Sequence, residues 1–280
     1  MHPEIIEVVQ RALAEDIGTG DVTTELTIAV GRKAVGRFYA RQAMVCAGTE
    51  LLPLIFENAD KLEIFLPNGA RCEYGDCIAQ VEGDARLLLT HERVALNFLQ
   101  RLSGIATLAR KYVDAVHGTN AKVLDTRKTT PGLRRLEKMA AHAGGVTNHR
   151  MGLFDAVLIK NNHIAACGGV GQAMERVKAA HLSTAVPVEI EVRTLDELDE
   201  ALEMGAKRML LDNLTPTEAR EWIERIGGRA VVELSGGITL ETIRAYAEAG
   251  PDFISCGAIT HSATAVDLNF RIELRKSDLH

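Results

Sequence analysis

The chain has 280 residues, 46% of them hydrophobic and 25% charged, the balance of a globular fold rather than a disordered chain. Its length admits one large domain or two ordinary ones. A net charge of −6 argues against nucleic acid or an anionic membrane as the main partner, so any basic cluster is local and suits a small anionic ligand.

At the N-terminus, Met1-His-Pro-Glu-Ile-Ile-Glu7 lacks the basic-then-apolar order of a signal peptide. No apolar stretch is long enough to span a bilayer, and a cytoplasmic protein is expected. Glu4 to Glu15 reads as an amphipathic helix with Ile5, Val8, Val9, Ala12 and Leu13 on one face. Extended patterns follow at Ala34–Arg41, Leu62–Leu66 and Ile78–Val81, with turn signals at Pro67-Asn-Gly69 and Glu73-Tyr-Gly-Asp76. A long helix is predicted from about His91 to His117, with Thr90 as N-cap and a break or kink at Ser103-Gly104.

After residue 120 short apolar runs alternate with helical patterns. The runs are 122–124, 156–159, 188–192, 208–211, 230–234 and 253–255; the helical stretches are 133–143, 170–181, 195–204, 216–226 and 240–249. Repeated strand–helix units imply parallel strands with right-handed crossovers, and their spacing fits a β/α barrel. The runs finish in polar or glycine residues: Asp125, Lys160, Glu191, Asp212, Ser235-Gly-Gly237 and Gly257. In such a barrel the C-terminal strand ends converge on the active-site mouth.

Three segments concentrate cations: Asp125-Thr-Arg-Lys-Thr-Thr-Pro-Gly-Leu-Arg134, Asn148-His-Arg150 and Leu158-Ile-Lys-Asn-Asn-His163. Gathering Arg127, Lys128, Arg134, His149, Arg150, Lys160 and His163 costs stability unless an anion fills the space. Glu189 and Glu191, two apart, face the same side of their strand, and with Asp212 they read either as salt-bridge partners inside the barrel or as acids for sugar hydroxyls and a divalent cation. In Glu233-Leu-Ser-Gly-Gly-Ile238 two glycines let the backbone approach a ligand and Thr239 is expected to start a helix, an arrangement that binds phosphate; Ser255-Cys-Gly-Ala-Ile259 forms a second small-residue loop. The five cysteines (Cys46, Cys72, Cys77, Cys167 and Cys256) are odd in number and lack zinc spacing, so reduced thiols are expected.

Over nearly its whole length the chain resembles the quinolinate phosphoribosyltransferase family. The resemblance runs from Glu15-Asp-Ile-Gly-Thr-Gly-Asp-Val-Thr-Thr24 through Glu92-Arg-Val-Ala-Leu-Asn97 and Leu102-Ser-Gly-Ile-Ala-Thr107. It is strongest in the three cationic segments, and ends with Leu211-Asp-Asn213, Ser235-Gly-Gly-Ile238 and Gly257-Ala-Ile-Thr-His-Ser262. It implies an open, incomplete β/α barrel (residues 106–266) with an α/β sandwich made from residues 1–105 and 267–280. The implied enzyme is a pentosyltransferase of NAD biosynthesis that joins quinolinate to phosphoribosyl pyrophosphate, releasing pyrophosphate and CO2 and giving nicotinate mononucleotide.

The implied substrate-binding residues are Arg93, Thr126, Arg127, Lys128, His149, Arg150, Lys160, Glu191 and Asp212, with Ser235, Gly236, Gly237, Cys256, Gly257 and Ala258 around the 5′-phosphate. Lys160, Glu191 and Asp212 are the implied catalytic residues, and Glu191 and Asp212 would hold Mg2+. The resemblance also implies a homodimer or larger homo-oligomer in which Arg93 reaches a neighbour's site. The chain departs from the family pattern at Asn161, where an acid is usual, at Val146, where a glycine is frequent, and at Arg193-Thr194, where an acidic pair is common. Alternatives are a related protein of the same fold associated with molybdate transport, a sugar-phosphate isomerase or aldolase barrel, and a non-enzymatic phosphate-binding barrel.

Overall fold

The computed structural model describes residues 1–183 and 186–274. In chain order the elements are α1 (Pro3–Ile17), α2 (Val22–Thr27), β1 (Lys33–Ala40), β2 (Met44–Val45), α3 (Leu52–Ile55), β3 (Lys61–Ile64), β4 (Arg71–Cys72), β5 (Cys77–Asp84) and α4 (Ala85–Ala115). They continue with β6 (Lys122–Leu124), α5 (Arg134–Ala143), β7 (Val157–Ile159), α6 (Asn161–Cys167), α7 (Val170–Ala179), β8 (Val188–Val192), α8 (Leu195–Glu203), β9 (Arg208–Asp212) and α9 (Pro216–Ile226). The last are β10 (Val231–Ser235), α10 (Ile243–Glu248), β11 (Phe253–Ser255), α11 (Ala258–His261) and β12 (Leu268–Leu274).

The chain forms two compact units. One comprises Met1–Arg110, Thr129–Gly145 and Ile259–His280; the other comprises Lys111–Lys128 and Val146–Ala258. The division expected from the sequence put 106–266 in the barrel; by proximity in space 106–110, 129–145 and 259–266 group with the first unit. Glu137 on α5 gives one reason. It is fully buried, and its carboxylate takes Arg101 at 2.8 Å and the Thr130 hydroxyl at 2.7 Å. A buried carboxylate without such partners would be costly, so α5 is tied to the helix that carries Arg101. Of the expected C-terminal segment 267–280, residues 275–280 lie outside the described residues.

In the first unit an antiparallel sheet runs β12-β1-β5-β3. β1 alternates half-buried and buried positions, as a strand covered on one face must. Its inward Phe38 meets Phe270 with ring centroids 4.7 Å apart, and a Cβ at Gly36 would lie 1.9 Å from the Phe270 ring. The short strand β12 was not legible as a strand from its own sequence; it is fixed by pairing with β1 from Ala34↔Leu274 to Ala40↔Leu268.

α4 begins before the expected N-cap. Asp84 accepts the Arg86 N–H at 2.8 Å and so caps the helix there, while the Thr90 hydroxyl, inside the helix, reaches Asp21 at 3.3 Å. Ser103-Gly104 does not interrupt α4. The glycine serves close approach instead, since a Cβ there would lie 2.2 Å from the Thr264 carbonyl oxygen.

The second unit holds six parallel strands in the order β6-β11-β10-β9-β8-β7, with helices in the crossovers. Among the described residues β6 pairs with β11 and β7 with β8, not with each other, so the barrel is open and incomplete. Thr147 forms a single parallel bridge with Leu124 beside β6. Trp222 and Ile226 on α9 and Leu198 on α8 are buried, the inward stripe expected of helices packed on a sheet. No helix among the described residues is long and apolar enough to cross a membrane.

The approach at Gly104 has a measurable consequence. Gly104→Ala is expected to destabilise the protein by about 1–3 kcal/mol, the usual cost of overpacking, although alanine is the better helix former. Urea unfolding of both proteins checks this; a more stable alanine variant would mean that the Thr264 segment yields.

Candidate active site

Parallel strands bring all their C-terminal ends to one edge of the sheet. Following the strand order, that edge carries Asp125 after β6, Gly257 after β11, Ser235 ending β10, Asp212 ending β9, Glu191 near the end of β8 and Lys160 after β7. The tertiary structure therefore gathers the strand-end series that the sequence suggested.

Asp125 organises the cationic side of this edge. It is fully buried; one oxygen accepts the His149 N–H at 2.8 Å and the other accepts Asn148 Nδ2 at 2.6 Å. The segment Asn148–Arg150 is thus pinned beside β6. Burial and the nearby Arg127 guanidinium oppose the charge on Arg150 and lower its pKa from the usual value, although Asp155 and Glu189 partly offset them. Arginine remains charged in proteins, so two like charges held together in a half-buried place favour an anion between them. Arg150 Nη1 also donates to the Ala156 carbonyl at 3.2 Å, and the Lys128 N–H donates to Thr126 Oγ1 at 3.0 Å, fixing the loop after β6.

Below the mouth lies a network only partly foreseen. Arg208, at the start of β9, reaches Glu189 at 3.0 Å and Glu233 at 3.4 Å, and stacks over Phe253 with its guanidinium carbon 4.6 Å from the ring centre. His149 Nε2 lies 3.4 Å from Glu189 and 3.5 Å from Glu233, while its Nδ1 lies 2.6 Å from the Arg150 backbone nitrogen. Burial disfavours a charged ring, but the carboxylates of Glu189 and Glu233 outweigh it, and the His149 pKa is pushed up to about 9. Burial likewise opposes charge on Glu233, yet His149, Ser255 and Arg208 hold its pKa below the ordinary carboxylate value. Both ring nitrogens of His149 are therefore engaged with protein groups rather than turned to the mouth. Sequence reasoning left Glu233 and Arg208 without a role, whereas Glu189 was expected either as a salt-bridge partner or as a ligand-binding acid, and it pairs with Arg208 and His149.

Ligand atoms of His149, Glu189 and Glu233 lie within 4.8 Å of one another, a spacing that could hold a metal ion. A histidine ligand must be neutral, whereas this ring carries its proton between two acids that Arg208 already neutralises. The trio behaves as a charge network. The better donor set for a hard divalent cation is Glu191 with Asp212: both offer carboxylate oxygen, and a single nitrogen of Arg193 lies 3.0 Å from each. Lys160 Nζ stands 3.9 Å from Glu191, and Asn213 Nδ2 donates to Asp212 at 2.7 Å.

The loop after β10 is shaped by backbone. Gly236 has φ +104°, and a Cβ there would fall 2.3 Å from Asn213 Oδ1. Asn213 itself has φ +61°, and its N–H donates to Ser235 O at 2.9 Å, so the ends of β9 and β10 lock together. The expected helix start at Thr239 is not found: residues 240–242 form a turn, with the Thr239 N–H donating to Thr242 Oγ1 at 3.0 Å, and α10 begins at Ile243. Cys256 is buried, its thiol pushed up to about 12 by burial and by Glu233, and its N–H is used by Leu124 O at 3.0 Å. In that loop Gly257 and Ala258 stand nearer the mouth along the chain.

Two of the expected contributors, Arg134 and Arg93, belong to the first unit, and His163 stands beside Lys160. Arg134 falls in the first unit, where its Nε donates to Thr129 Oγ1 at 3.1 Å. Arg93 is exposed on α4, eight residues past the true helix start, also in the first unit. His163 Nδ1 accepts the Lys160 N–H at 2.9 Å, which fixes the start of α6. The five cysteines are all free thiols.

The network around His149 fixes a pH dependence. The folded pKa is raised above the unfolded value, so its stabilisation is complete below about 6.5 and is lost as pH rises through about 9. His149→Gln is expected to cost about 1.5–3 kcal/mol at pH 6, the worth of a charge-assisted hydrogen bond. That gap should shrink steadily toward pH 9 in unfolding titrations; a constant gap would mean that His149 folds neutral.

Comparison with known proteins agrees with this geometry. Residues 21–103 match the family model for the quinolinate phosphoribosyl transferase N-terminal domain, and residues 105–271 match that for the C-terminal domain. The chain is 40% identical to "Quinolinate phosphoribosyltransferase [decarboxylating] 2, mitochondrial" of Nicotiana glauca, over 97% of this chain and 84% of that one. It is 38% identical to the "Probable nicotinate-nucleotide pyrophosphorylase [carboxylating]" of Bacillus subtilis (strain 168), over 98% and 95%. The solved nicotinate-nucleotide pyrophosphorylase of Francisella tularensis superposes with a TM-score of 0.92 at 36% identity, covering 98% of both chains. With both of its domains matched along almost the entire length, the chain belongs to the quinolinate phosphoribosyltransferase family.

Proposed function

We propose that this chain is a decarboxylating quinolinate phosphoribosyltransferase. It joins the ring nitrogen of quinolinate to the anomeric carbon of phosphoribosyl pyrophosphate as pyrophosphate leaves, then loses CO2 to give nicotinate mononucleotide for NAD biosynthesis. The observation that carries this reading is the Arg127–Arg150 pair, whose mutual repulsion is relieved by an anion, on the same strand-end edge as Glu191 and Asp212. Quinolinate supplies two carboxylates, and arginine receives a carboxylate through two parallel hydrogen bonds. His149 acts from behind: its contact with the Arg150 N–H positions that arginine.

Lys128 and Lys160 face the pyrophosphate, with Lys160 held at the start of α6. Glu191 and Asp212 hold the ribose hydroxyls and stabilise positive charge as it grows at the anomeric carbon. They would also hold Mg2+, whose positive charge would offset part of that of the pyrophosphate. The loops at Ser235–Gly237 and Gly257–Ala258 cradle the 5′-phosphate with Thr126 alongside the acceptor. After transfer the ring nitrogen is quaternary, and the electron pair of the breaking carbon–carboxylate bond flows into it; a proton then fills the vacated ring carbon. No separate decarboxylation group is required for that step.

The active form is a homodimer or a larger assembly built from one, in which Arg93 completes the quinolinate site of a neighbouring subunit. Its exposure on α4 supports this, since it leaves the guanidinium available to another chain. The free cysteines suit a reducing compartment, and we place the protein in the cytoplasm.

Calorimetric titration with quinolinate and then phosphoribosyl pyrophosphate tests the substrate pair. Nicotinate, which has one carboxylate fewer, should bind about 1.5–3 kcal/mol more weakly and turn over poorly. Equal turnover of the two acids would remove Arg127 and Arg150 from the acceptor site.

The assembly is tested by mixing Arg93→Ala with Asp212→Ala chains, each nearly inactive alone. A mixed dimer with Arg93 acting across a two-fold interface has one doubly defective site and one intact site, so activity should rise toward about half the wild-type value per mixed dimer. Absence of recovery despite proven subunit exchange would keep Arg93 within its own subunit.

A further inference from the structure

Glu191 and Asp212 end adjacent parallel strands, and their side chains are only 6% and 13% exposed. Two carboxylates this near in a poorly hydrated place repel each other unless a cation lies between them. In this chain a cation does. Arg193 Nη2 is 3.0 Å from Glu191 Oε1 and 3.0 Å from Asp212 Oδ2, one nitrogen bridging both acids.

The remaining neighbours are one more distant cation and two neutral donors. Lys160 Nζ is 3.9 Å from Glu191 Oε2, the Asn161 N–H donates to Glu191 Oε1 at 3.4 Å, and Asn213 Nδ2 donates to Asp212 Oδ2 at 2.7 Å. Apart from that bridge, Arg193 is anchored through its backbone. Its N–H donates to Glu197 Oε2 at 2.7 Å at the start of α8, while its side chain is 45% exposed. The guanidinium can therefore leave the acids by rotating its side chain into solvent, without moving the strand.

We propose that Arg193 is a resident counter-cation for the Glu191–Asp212 pair, which a divalent cation must displace, so that this residue sets how tightly the site holds the cation. The proposal rests on the reading of Glu191 and Asp212 as the cation-holding acids. A divalent ion binding the same two oxygens would sit about 2 Å from each, in the space the bridging nitrogen occupies, so the two cations exclude each other. The conformer competent to take the ion is then only a fraction of the population, and the apparent affinity falls by that fraction. Arg193 touches no reacting atom in this scheme; it tunes the site through its two acids.

The test is Mn2+ binding to the full-length protein without substrate, read as free Mn2+ by electron paramagnetic resonance. Arg193→Ala and the milder Arg193→Gln should bind Mn2+ about tenfold or more tightly than wild type, with Arg193→Lys between them. In parallel, mass spectrometry follows phenylglyoxal modification of Arg193 in the unmutated protein, which should quicken when Mn2+ is added. Equal or weaker binding by Arg193→Ala and Arg193→Gln, or labelling that Mn2+ leaves unchanged, overturns the proposal. If Glu191→Gln still abolishes Mn2+ binding in that case, the acids hold the cation and Arg193 alone has been misread. If Glu191→Gln, wild type and Arg193→Ala all behave alike, the assignment of the cation to Glu191 and Asp212 falls as well.

Discussion

Buried carboxylates must be matched by cations, and the second unit is organised around meeting that requirement. Glu189, Glu191 and Glu233 are buried on β8 and β10, with Asp212 nearly so at the end of β9. An unpaired carboxylate in such a place would either take up a proton or unfold its surroundings. Each acid instead has at least one cationic neighbour: Arg208 and His149 for Glu189 and Glu233, and Arg193 for Glu191 and Asp212, with Lys160 beside Glu191.

The two sets differ in what solvent can do to them. Arg208 is itself more than half buried in side-chain surface and is covered by Phe253, so its pairing with Glu189 and Glu233 is shielded from solvent. That set resists exchange, and through His149 it passes its rigidity to the Arg150 backbone. Arg193 and Lys160 are about half exposed, so their pairing is open to solvent. Glu189 and Glu191, two residues apart on one strand, thus differ in their partners: Glu189 pairs with the largely buried Arg208 and His149, Glu191 with the half-exposed Arg193 and Lys160.

Backbone approach supplies the second constraint. At Gly236 the positive φ and the nearness of Asn213 both exclude a side chain, and the loop after β10 is consequently held by main-chain contacts to the end of β9. At Gly104 the same exclusion works by packing alone, with no unusual backbone angle, and lets the Thr264 segment lie against α4. A glycine inside a helix carries an entropic cost, so its presence there signals contact more than flexibility.

The sequence by itself determined the alternation of strands and helices beyond residue 120, the run of polar residues at the strand ends and the resemblance to a family of known chemistry. These are local signals: hydrophobic period and turn residues are read within a few positions, and long motifs carry their own specificity. It misplaced the start of α4 because Asp84 and Thr90 are both acceptable caps, and only the tertiary contact between Thr90 and Asp21 engages the second one elsewhere. It took Ser103-Gly104 for a break and Thr239 for a helix start for the same reason, since neither carries its packing partner in the neighbouring sequence. What only the tertiary structure decided is the partner of each charge. His149, Glu189, Arg208 and Glu233 come from four separate segments, and Arg193, which the sequence marked only as a departure from the family's acidic pair, bridges two acids because parallel strands bring Glu191 and Asp212 side by side. Coulomb energy depends on distance in space, and distance along the chain does not reveal it.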